Sequence, residues 1–448
     1  MKNILILGAG QSAPYLIRYL LDRSEKNDWR VTVADKNYEL AKERVNGNPR
    51  GEAIDFDIND TYLRNKLIEK SDIVINMLSP TFQYMVALDC LEHKTHMISA
   101  SYENNQIPSL HKDALMEDIL ILNEMGLDPG IDHMSAMHII NSIREKGGVI
   151  SCFISYGSGI PAPEVQSNPM NYCITWNPRN VIMAGETGAL YMENKKIKVL
   201  SHNHVFRRTW DVEVEGVGKL EAYPNRNSLI YQDIFKLHKV HTMIRGTLRY
   251  HGWSETWHQI IRLGIPNEHM RIPNLKNTTY EEFTRMFIPL QGSGSNIKSR
   301  VANYLNISPT GKIIQNFEWL GLFSDKKIGE NLETPAKVLE KILREKMPLP
   351  EGQRDMVILQ HQIEAEFPEQ KKKKKIISRL VEYGEPNGMT AIAKTVGMPA
   401  AIAAELVLTG KLKIRGCRIP THPDIYKPVL KELKKNGIKF VERTKTVK

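Results

Sequence analysis

Ile4-Leu5-Ile6-Leu7-Gly8-Ala9-Gly10-Gln11-Ser12-Ala13 is the stretch that decides the fold. Its four leading apolar residues predict a strand that is buried on both faces. The strand runs into the pattern Gly8-x-Gly10-x-x-Ala13, and apolar residues at helical spacing follow at Leu16, Ile17, Leu20 and Leu21. A strand, a glycine turn and a helix in this order are typical of a dinucleotide-binding site.

The small residues of this turn suit the binding of a pyrophosphate. Gly8 permits the tight turn, Gly10 lets the backbone approach the phosphates, and Ala13 lets helix and strand pack closely. The helix N-terminus adds free N–H groups and a partial positive charge. We therefore predict that a nicotinamide dinucleotide is bound by Gly8, Ala9, Gly10, Gln11, Ser12 and Ala13. The alternative is a glycine turn in a doubly wound sheet that binds no nucleotide.

The second strand indicates which dinucleotide is bound. Arg30-Val31-Thr32-Val33-Ala34 ends in Asp35, and Lys36 follows. A carboxylate at this position accepts hydrogen bonds from the adenosine ribose and repels a 2′-phosphate. We therefore expect NAD(H) to be favoured by Asp35, whereas Lys36 weakens that preference and leaves NADP(H) open. Asp57, at the end of the third strand, is expected beside the adenine.

Strands and helices alternate through the first 125 residues. Apolar strand patterns recur at about 53–56, 73–78, 97–100 and 119–122, with helical patterns between them. This order predicts an α/β fold with a doubly wound parallel sheet. Ligands of such sheets lie outside the carboxyl ends of the strands. That rule places Leu78, Ser79, Ser101, Tyr102 and Asp128 in one crevice.

The pattern changes near residue 150. Segments at 196–200 and 210–214 alternate apolar and polar residues, which predicts a mixed sheet with one solvated face. Residues 251–349 are predicted to be mostly helical. We predict three domains: a dinucleotide-binding domain (1–130), a mixed-sheet α/β domain (131–250 and 350–387) and a helical subdomain (251–349). Residues 388–448 are expected to begin with two small-residue helices, separated at Gly397 and Pro399, and to pack back onto the first domain.

Composition narrows the class of protein. The 448 residues are 41% hydrophobic and 25% charged, which is typical of a soluble globular chain. The net charge is +10, and the five lysines of 371–375, expected in a loop or hairpin tip, supply half of it. A nucleic-acid-binding surface would combine basic and aromatic residues on one face, and the sequence shows no such pattern. The four cysteines have no metal-ligand spacing, and we predict no metal site. Neither a signal peptide nor an apolar stretch of about twenty residues is evident, so we expect a cytoplasmic protein without a membrane partner.

Five motifs give the chain a resemblance to a known family. They are Gly126-Leu127-Asp128-Pro129-Gly130-Ile131-Asp132-His133, Ile160-Pro161-Ala162-Pro163-Glu164, Glu221-Ala222-Tyr223-Pro224-Asn225-Arg226, Arg245-Gly246-Thr247-Leu248-Arg249-Tyr250 and Ala391-Ile392-Ala393-Lys394-Thr395-Val396-Gly397. In this order they resemble the glutamate-forming saccharopine dehydrogenases, also called saccharopine reductases. The resemblance implies a Rossmann domain, a second α/β domain that mediates homodimerisation, and a helical domain. It also implies a reversible reductive condensation of 2-aminoadipate 6-semialdehyde with L-glutamate to saccharopine, a step of lysine metabolism.

The resemblance also implies a substrate site. Saccharopine carries three carboxylates, and guanidinium groups bind carboxylates with two parallel hydrogen bonds. Arg226 and Arg249 match positions that hold substrate carboxylates in relatives, and Thr247 and Leu248 lie in the same motif. Ser101 and Tyr102 resemble the substrate-contacting pair of the family. Asp128 is expected to hold the substrate amine, or else to form a turn with Pro129. Tyr102 is a candidate proton donor, although an ordinary phenol is a poor acid at neutral pH.

Further residues are assigned around the nicotinamide. Ala100, Leu127, Asp128, Pro129 and Trp176 are expected to form its walls, and Leu78, Ser79 and Ser101 are expected to contact the cofactor as well. His133 follows the Gly-Leu-Asp-Pro-Gly turn and is interpreted as a packed histidine at a helix start. Many relatives carry a cysteine after the tyrosine that Tyr156 matches, whereas this chain has Gly157-Ser158-Gly159. Catalysis therefore does not depend on a thiol at that position.

Two other functions remain open. One is a related imine reductase of the carboxynorspermidine dehydrogenase type, whose substrate has fewer carboxylates, so that the two arginines weigh against it. The other is a cofactor-binding regulatory protein without turnover. The presence of Ser101, Tyr102, Asp128, Arg226 and Arg249 together argues against that function.

Overall fold

The computed structural model describes residues 1–165, 168–290 and 294–447. The chain forms two compact units. The first unit contains residues 1–150 and 365–448, and the second contains residues 151–364. The three predicted domains place their boundaries elsewhere, near 130, 250, 350 and 387, and that finer division stays a prediction.

Helices and strands alternate along most of the chain. The first are β1 (Lys2–Leu7), α1 (Pro14–Asn27), β2 (Trp29–Asp35), α2 (Tyr38–Val45), β3 (Gly51–Asp55), α3 (Thr61–Glu69), β4 (Ile73–Asn76), α4 (Gln83–Glu92), β5 (His96–Ser99), α5 (His111–Met116), β6 (Leu120–Leu122) and α6 (Ile131–Glu145). Then follow β7 (Val149–Pro161), α7 (Pro178–Met183), β8 (Ala189–Glu193), β9 (Lys196–Leu200), α8 (His202–Val205), β10 (Trp210–Val214), β11 (Gly218–Pro224), α9 (Ile230–Ile234), β12 (Thr242–Arg249), α10 (Trp253–Leu263), α11 (Tyr280–Arg285), α12 (Ile297–Leu305), α13 (Lys312–Leu320), α14 (Pro335–Lys346) and β13 (Asp355–Phe367). The last are β14 (Lys372–Tyr383), α15 (Ala391–Leu408), β15 (Gly416–Arg418), α16 (Pro423–Lys435) and β16 (Val441–Val447).

A seven-stranded parallel sheet forms the centre of the first unit. Its strand order is β15-β6-β5-β4-β1-β2-β3. β1 lies between β2 and β4, and its residues Ile4 to Leu7 are at most 1% exposed, as expected for a central strand that is buried on both faces. The prediction of a doubly wound parallel sheet is confirmed. The order reverses between β1 and β4, and the crevice at such a reversal is where these sheets bind ligands.

Helix α15 packs closely against α1 within the first unit. A Cβ atom added at Gly397 would lie 3.0 Å from the backbone nitrogen of Leu16 and 3.2 Å from the carbonyl oxygen of Ser12. The prediction of two helices in this segment is wrong, because α15 continues through Pro399 as one 18-residue helix. By length and composition α15 could cross a membrane, but 78% of it is buried inside the protein. Burial of this extent is typical of a core helix.

The lysine run belongs to a strand. Lys371 precedes β14, and residues 372–375 form its first four positions. β14 pairs with β16 in antiparallel orientation, with Lys375 opposite Lys445. The prediction of a loop or hairpin tip therefore fits only Lys371. Lys373 forms an ion pair with Glu366 at 2.6 Å, and the exposure of both side chains keeps this contact weak.

The second unit contains a mixed sheet. β12 pairs with β7 in parallel and with β11 in antiparallel orientation, and β10 continues the antiparallel part beside β11. β8 and β9 form a further antiparallel pair that joins β12 at Met243. The prediction of a mixed sheet after residue 150 is confirmed. Its helical segment packs around an aromatic cluster in which Trp253 and Trp257 stack at 4.9 Å between ring centroids.

Candidate active site

The glycine turn joins β1 to α1 as the sequence pattern predicts. Gly8 has a φ of +100°, and its amide donates to the carbonyl oxygen of Ala34 at 2.8 Å. A Cβ atom at Gly8 would lie 3.2 Å from Cδ2 of Leu78. The fold therefore brings the turn and the end of β4 together, as expected for Gly8 and Leu78. Ser79 follows Leu78, and its hydroxyl accepts a hydrogen bond from Thr81 at 3.0 Å.

The surroundings of Gly10 fit a pyrophosphate. No described atom lies within 4 Å of the position that a Cβ atom at Gly10 would occupy, and Gly10 is not among the residues with positive φ. Neither packing nor backbone strain therefore explains the glycine, whereas the close approach of a phosphate does. Helix α1 begins without a capping side chain and has no acidic residue in its first turn. Its N–H groups are thus available for an anion.

The carboxylate of Asp35 is held by the backbone. Oδ2 accepts the N–H of Ala9 at 2.7 Å, and Oδ1 accepts the N–H of Asn37 at 2.8 Å. Ala9 is fully buried, so its N–H has little access to water as an alternative acceptor. Asp35 therefore fastens the glycine turn to the end of β2. This is a structural use of a carboxylate that the sequence pattern assigned to the ribose.

Lys36 is the exposed cation at this edge. Its Nζ lies 3.2 Å from Oδ2 of Asp57, and its side chain is 82% exposed. Hydrogen bonds from Asn59 and Lys36 hold the pKa of Asp57 below its ordinary value, with the backbone N–H of Asn59 as the main cause. An exposed pair of this kind contributes little stability, so the lysine is free to turn toward a ligand.

Tyr102 and Asp128 lie together at the carboxyl ends of β5 and β6. The phenol of Tyr102 donates to Oδ1 of Asp128 at 2.9 Å. Backbone hydrogen bonds connect the segments beyond the two strand ends, because Met125 N–H donates to the carbonyl of Ser99 and Glu124 N–H donates to that of Ser101. The geometry thus joins Ser101, Tyr102 and Asp128 at one edge of the sheet, as predicted.

The turn that carries Asp128 is tightly closed. Gly130 has a φ of +143°, and a Cβ atom on it would lie 2.0 Å from the carbonyl oxygen of Gly126. A Cβ atom on Gly126 would lie 2.8 Å from the carbonyl oxygen of Ala100. Both glycines are therefore required, since a side chain at Gly130 would force the turn open and one at Gly126 would push the turn away from Ala100. Leu127 and Pro129 lie in the same turn, beside Ala100.

A buried polar network stands behind this turn. His133 is 1% exposed, and its Nδ1 lies 3.0 Å from Oε2 of Glu124. Its Nε2 lies 3.5 Å from Oδ2 of Asp132, whose Oδ1 accepts the N–H of Gly130 at 2.7 Å. The other Glu124 oxygen accepts the N–H of Glu103 at 3.2 Å. The network therefore connects the segment after Tyr102 to the turn that holds Asp128.

Glu103 is the titrating member of this network. Burial raises the pKa of its carboxyl group to about 7, the hydrogen bond from Asn123 opposes the rise, and the charge of Glu124 adds to it. On the other side of the segment, buried Gln83 donates to the carbonyl of Tyr102 at 3.2 Å and accepts the N–H of Asn104 at 2.6 Å. Residues 102–104 are thus fixed from two sides.

The second unit contains Arg249 in a buried aromatic pocket. The side chain is 5% exposed, and its guanidinium carbon lies 4.9 Å from the ring centre of Tyr172 and 5.8 Å from that of Trp253. Nη1 donates to the carbonyl of Leu248 at 2.9 Å, and Nε has no hydrogen-bond partner. Among the residues that the structure describes, no carboxylate forms an ion pair with it. A buried guanidinium of this kind is costly unless an anion binds there.

Other predicted residues lie around Arg249 within the second unit. Thr247 is two positions earlier on β12, and the hydroxyl of Ser158 donates to the carbonyl of Leu248 at 2.7 Å. The indole of Trp176 donates to the hydroxyl of Tyr172 at 3.1 Å. Trp176, expected beside the nicotinamide, therefore shares the neighbour Tyr172 with Arg249.

Arg226 lies beyond the end of the same pair of strands. Glu221 of β11 pairs with Arg249, and Pro224 pairs with Gly246. These two rows are three residues apart, about 10 Å along the ladder, and Arg226 follows two residues beyond Pro224. Arg226 is exposed, has a φ of +51°, and its carbonyl accepts the N–H of Leu190 at 2.9 Å. The two arginines therefore stand apart along the sheet.

Comparison with known proteins identifies the family. Residues 4–121 match the model of the saccharopine dehydrogenase NADP binding domain, and residues 126–438 match that of the saccharopine dehydrogenase C-terminal domain. The saccharopine dehydrogenase [NADP(+), L-glutamate-forming] of Schizosaccharomyces pombe is 32% identical over 99% of both chains. The chain belongs to the saccharopine dehydrogenase family.

A solved structure of the family has the same fold. The apo saccharopine dehydrogenase (L-Glu forming) from Saccharomyces cerevisiae aligns with a TM-score of 0.87 and 31% identity over 99% of this chain and 100% of that chain. The alpha-aminoadipic semialdehyde synthase of Bos taurus, named as mitochondrial, is 31% identical over 99% of this chain and 48% of its own length. The predicted family, fold class and oxidoreductase class are confirmed, whereas a cytoplasmic location stays a prediction.

Family membership corrects the cofactor. The prediction that Asp35 favours NAD(H) is wrong, because the matching domain model is NADP binding and the Schizosaccharomyces pombe relative is named for NADP(+). The physical reason lies in the two backbone N–H groups that the Asp35 carboxylate accepts. A carboxylate that fastens the glycine turn does not have to face the ribose, and it does not exclude a 2′-phosphate.

The sequence reasoning missed the residues that fix the site. Glu124, Glu103 and Gln83 are absent from the predicted set, and His133 is expected only to be packed, which it is. Glu124 and His133 flank the recognised turn in the sequence. Two ionisable residues beside the end of a buried strand could therefore have indicated that they belong to the site. Gln83 gives no such signal, because its partners are at positions 99, 102 and 104 and depend on the tertiary fold.

Proposed function

We propose that this protein catalyses the reversible, NADP-dependent and L-glutamate-forming oxidation of saccharopine in lysine metabolism. In this reaction saccharopine, NADP⁺ and water give 2-aminoadipate 6-semialdehyde, L-glutamate, NADPH and a proton. The observation that supports it most directly is Arg249, a buried guanidinium with an unpartnered Nε and no ion-paired carboxylate among the described residues. Relatives over the full chain length are named for this activity.

The substrate carboxylates are assigned to the two arginines. Arg249 has an aromatic surround that lowers the local dielectric, so a bidentate carboxylate gains more there than at the surface. Thr247 and Leu248 flank it on β12. Arg226 is assigned a carboxylate at the other end of the substrate, because its place beyond the ladder suits an elongated ligand. Ser101 is assigned a third polar contact with the substrate.

The amine of the substrate is assigned to Asp128. A carboxylate beside this nitrogen stabilises the positive charge of the protonated amine. After that amine has given up a proton, the carboxylate also stabilises the iminium that forms when the adjacent carbon loses hydride. The hydrogen bond from Tyr102 orients that carboxylate. While the Tyr102 phenol donates its proton to this hydrogen bond, it cannot donate that proton to the substrate. Tyr102 therefore acts first as a positioning group. In the direction of condensation, release of water from the carbinolamine is the step in which the proton of Tyr102 is needed.

The NADP site is assigned to the edge of the parallel sheet. The dinucleotide supplies the hydride acceptor, and residues 8–13 bind its pyrophosphate through backbone N–H groups. Lys36, exposed and only weakly paired with Asp57, is assigned to the 2′-phosphate. The nicotinamide walls are assigned as predicted from the sequence, to Ala100, Leu127, Asp128, Pro129 and Trp176, and Leu78, Ser79 and Ser101 are assigned to further contacts with the dinucleotide.

The protein is further proposed to be a homodimer. The family resemblance implies it, and β9 offers a suitable surface. Within the described chain β9 pairs only with β8, and its side chains Ile197 and Val199 are 59% and 75% exposed. Two apolar side chains on an edge strand are typical of a surface that another chain covers.

The activity is tested by oxidation of purified saccharopine with NADP⁺ and with NAD⁺. We expect nicotinamide reduction with glutamate as the amino-acid product, and faster turnover with NADP⁺. Release of lysine, or absence of turnover with either dinucleotide, would contradict the proposal. Replacing saccharopine by carboxynorspermidine tests the alternative of a related imine reductase. That alternative predicts faster turnover of carboxynorspermidine than of saccharopine.

The arginine assignment is tested by Arg249→Gln and Arg226→Ala. Loss of a charge-assisted contact costs about 1.5–3 kcal/mol, so KM for saccharopine should rise by about tenfold or more. KM for NADP⁺ should stay unchanged. The matched control is Arg271→Gln, which removes an exposed arginine of the same unit that pairs only loosely with Glu333 at 3.7 Å. If either substitution changed KM for saccharopine and KM for NADP⁺ equally, that arginine would not belong to the substrate site.

A further inference from the structure

The second unit contains an open cleft apart from the assigned site residues. Its volume is about 470 Å³, and it lies between α8, α10 and the end of α12. The residues that line it are Asn203, His204, Arg207, His258, Gln259, Arg262, Leu305, Asn306 and Ile307. None of them belongs to the substrate or cofactor sets above. A volume in this range accommodates a small organic molecule.

Positive charge dominates the lining. That charge comes from Arg207 and Arg262, and none of the described lining residues is acidic. Throughout the described ranges, the Arg207 side chain forms neither an ion pair nor a hydrogen bond. Nη1 of Arg262 donates to the carbonyl of Leu305 at 2.6 Å and to Oε1 of Gln259 at 2.9 Å. Both acceptors are neutral, so the charge of Arg262 is also uncompensated.

The positive charge of the cleft affects His258, one of the residues that line it. The residue is 8% exposed, and its Nδ1 is buried without a hydrogen-bond partner. Burial, as the main cause, lowers the pKa of the imidazole to about 4 together with the charges of Arg207, Arg262 and His204. The ring is therefore neutral at pH 7. None of the main electrostatic influences on it is acidic.

We propose that this cleft binds a small organic anion that carries at least two negative charges on phosphate or carboxylate groups. Two guanidinium groups without acidic partners match the oxygens of either group through paired hydrogen bonds. The side-chain amides of Asn203, Gln259 and Asn306 supply neutral donors for further oxygens. Leu305 and Ile307 supply an apolar wall for the carbon skeleton. An occupied cleft neutralises the charge that the free protein concentrates there.

Binding is tested by calorimetric titration of the full chain with inorganic phosphate and, separately, with citrate. NADP⁺ is kept at saturation so that the dinucleotide site is filled, and the ionic strength is low because exposed guanidinium groups are screened by salt. We expect saturable binding of at least one anion. Arg207→Gln should weaken it about tenfold, which corresponds to loss of one charge-assisted contact. Arg207 suits this test because its side chain has no structural contact to lose.

Controls identify the site. Arg249→Gln should leave the binding unchanged, which separates the cleft from the proposed carboxylate site, and Arg271→Gln tests for a general effect of surface charge. In nuclear magnetic resonance spectra the His258 imidazole should titrate at higher pH when the anion is present. Binding of phosphate alone indicates a phosphate ester, and binding of citrate alone indicates a polycarboxylate. No saturable binding, or equal binding by Arg207→Gln, would overturn the proposal.

Discussion

At the scale of single residues, the Asp35 carboxylate holds the backbone in two places. Its two oxygens accept the N–H groups of Ala9 and Asn37, and Ala9 is fully buried. Asp35→Ala leaves these donors without an acceptor, at a cost of about 1–3 kcal/mol for the buried one. We expect KM to rise for NADP⁺ and NAD⁺ by similar factors, because the whole glycine turn loosens.

The measurement is the ratio of kcat/KM for the two dinucleotides. In Asp35→Ala the ratio should stay within about twofold of the original while both values fall, whereas Lys36→Ala should lower the NADP⁺ value about tenfold. Arg30→Ala is the matched control, since it removes an exposed cation of the same strand that pairs with Glu52 at 3.1 Å. A marked gain in NADP⁺ preference in Asp35→Ala would instead assign the carboxylate to the ribose.

Glu103 predicts a pH dependence of stability. Burial raises the pKa of this carboxyl group in the folded protein to about 7, above its ordinary value near 4.5. The folded state therefore binds this proton more tightly than the unfolded state, so the contribution of Glu103 is fully present below about pH 4.5 and is lost as the pH rises through 7. Glu103→Gln stays neutral and should lack this loss.

Urea unfolding at pH 5 and pH 8 measures the difference. Relative to Glu103→Gln, the original protein should lose free energy of unfolding between the two pH values. Glu369→Gln is the control, because Glu369 is an exposed carboxylate of the same unit. Parallel pH profiles for the original protein and Glu103→Gln would show that the carboxyl group does not titrate in this range.

Residue-level prediction from the sequence succeeded where strand ends set the position. Tyr102 and Asp128 are 26 positions apart, yet they form a hydrogen bond because parallel strands end at one edge. It failed where a side chain chooses between competing partners. The Asp35 carboxylate is equally suited to a ribose hydroxyl and to a backbone N–H, and only the folded turn decides between them.

At the scale of elements, two glycines give opposite predictions for the same substitution. Gly10→Ala adds a methyl group where no described atom lies within 4 Å, whereas Gly397→Ala places one 3.0 Å from backbone and side-chain atoms of Leu16. Gly10→Ala should leave the melting temperature unchanged and raise KM for NADP⁺ by about tenfold or more, because the methyl group meets the phosphates. Gly397→Ala should cost about 1–3 kcal/mol of stability, since α15 is forced away from α1.

Each variant is the control for the other. Thermal unfolding without ligand separates them by stability, and a dinucleotide titration separates them by affinity. A large loss of stability in Gly10→Ala would mean that the glycine serves the fold. An unchanged melting temperature in Gly397→Ala would mean that the helices have room to relax.

Helix α15 also marks where local signals mislead. Gly397 and Pro399 both disfavour a helix interior, since glycine is flexible and proline lacks an N–H. The helix nevertheless continues, and Gly397, Met398 and Pro399 are all buried in the core of the first unit. Burial of a largely apolar helix outweighs the local cost. A sequence window shows that cost but not the packing that offsets it.

At the scale of the whole molecule, the order of elements predicted the two kinds of sheet, whereas the division into three domains stays a prediction. Strand β7 begins the second sheet only after α6, and α6 belongs to the first unit. Composition does not mark that boundary, because a helix that ends one unit resembles a helix that begins the next. The surface assigned to the proposed dimer contact is similarly hidden from periodicity.

The proposed dimer gives the prediction at this scale. Sedimentation of the purified protein should give twice the chain mass of 51.2 kDa. A two-fold interface uses the same patch on both copies, so one changed strand alters both halves. Ile197→Lys combined with Val199→Lys places four added charges at the proposed contact of two β9 strands. The double variant should therefore sediment as a folded monomer, with an unchanged circular dichroism spectrum.

A control distinguishes this edge from surface charge in general. Val441 on β16 is 52% exposed, and Val441→Lys adds a charge outside the second unit. It should leave the mass at twice that of the chain. A dimer that survives both changes on β9 would place the interface elsewhere, whereas a monomeric original protein would contradict the dimer itself. Because Ile197 and Val199 are already exposed in the single chain, their replacement removes little packing inside it. A change in mass would therefore report on the contact between copies.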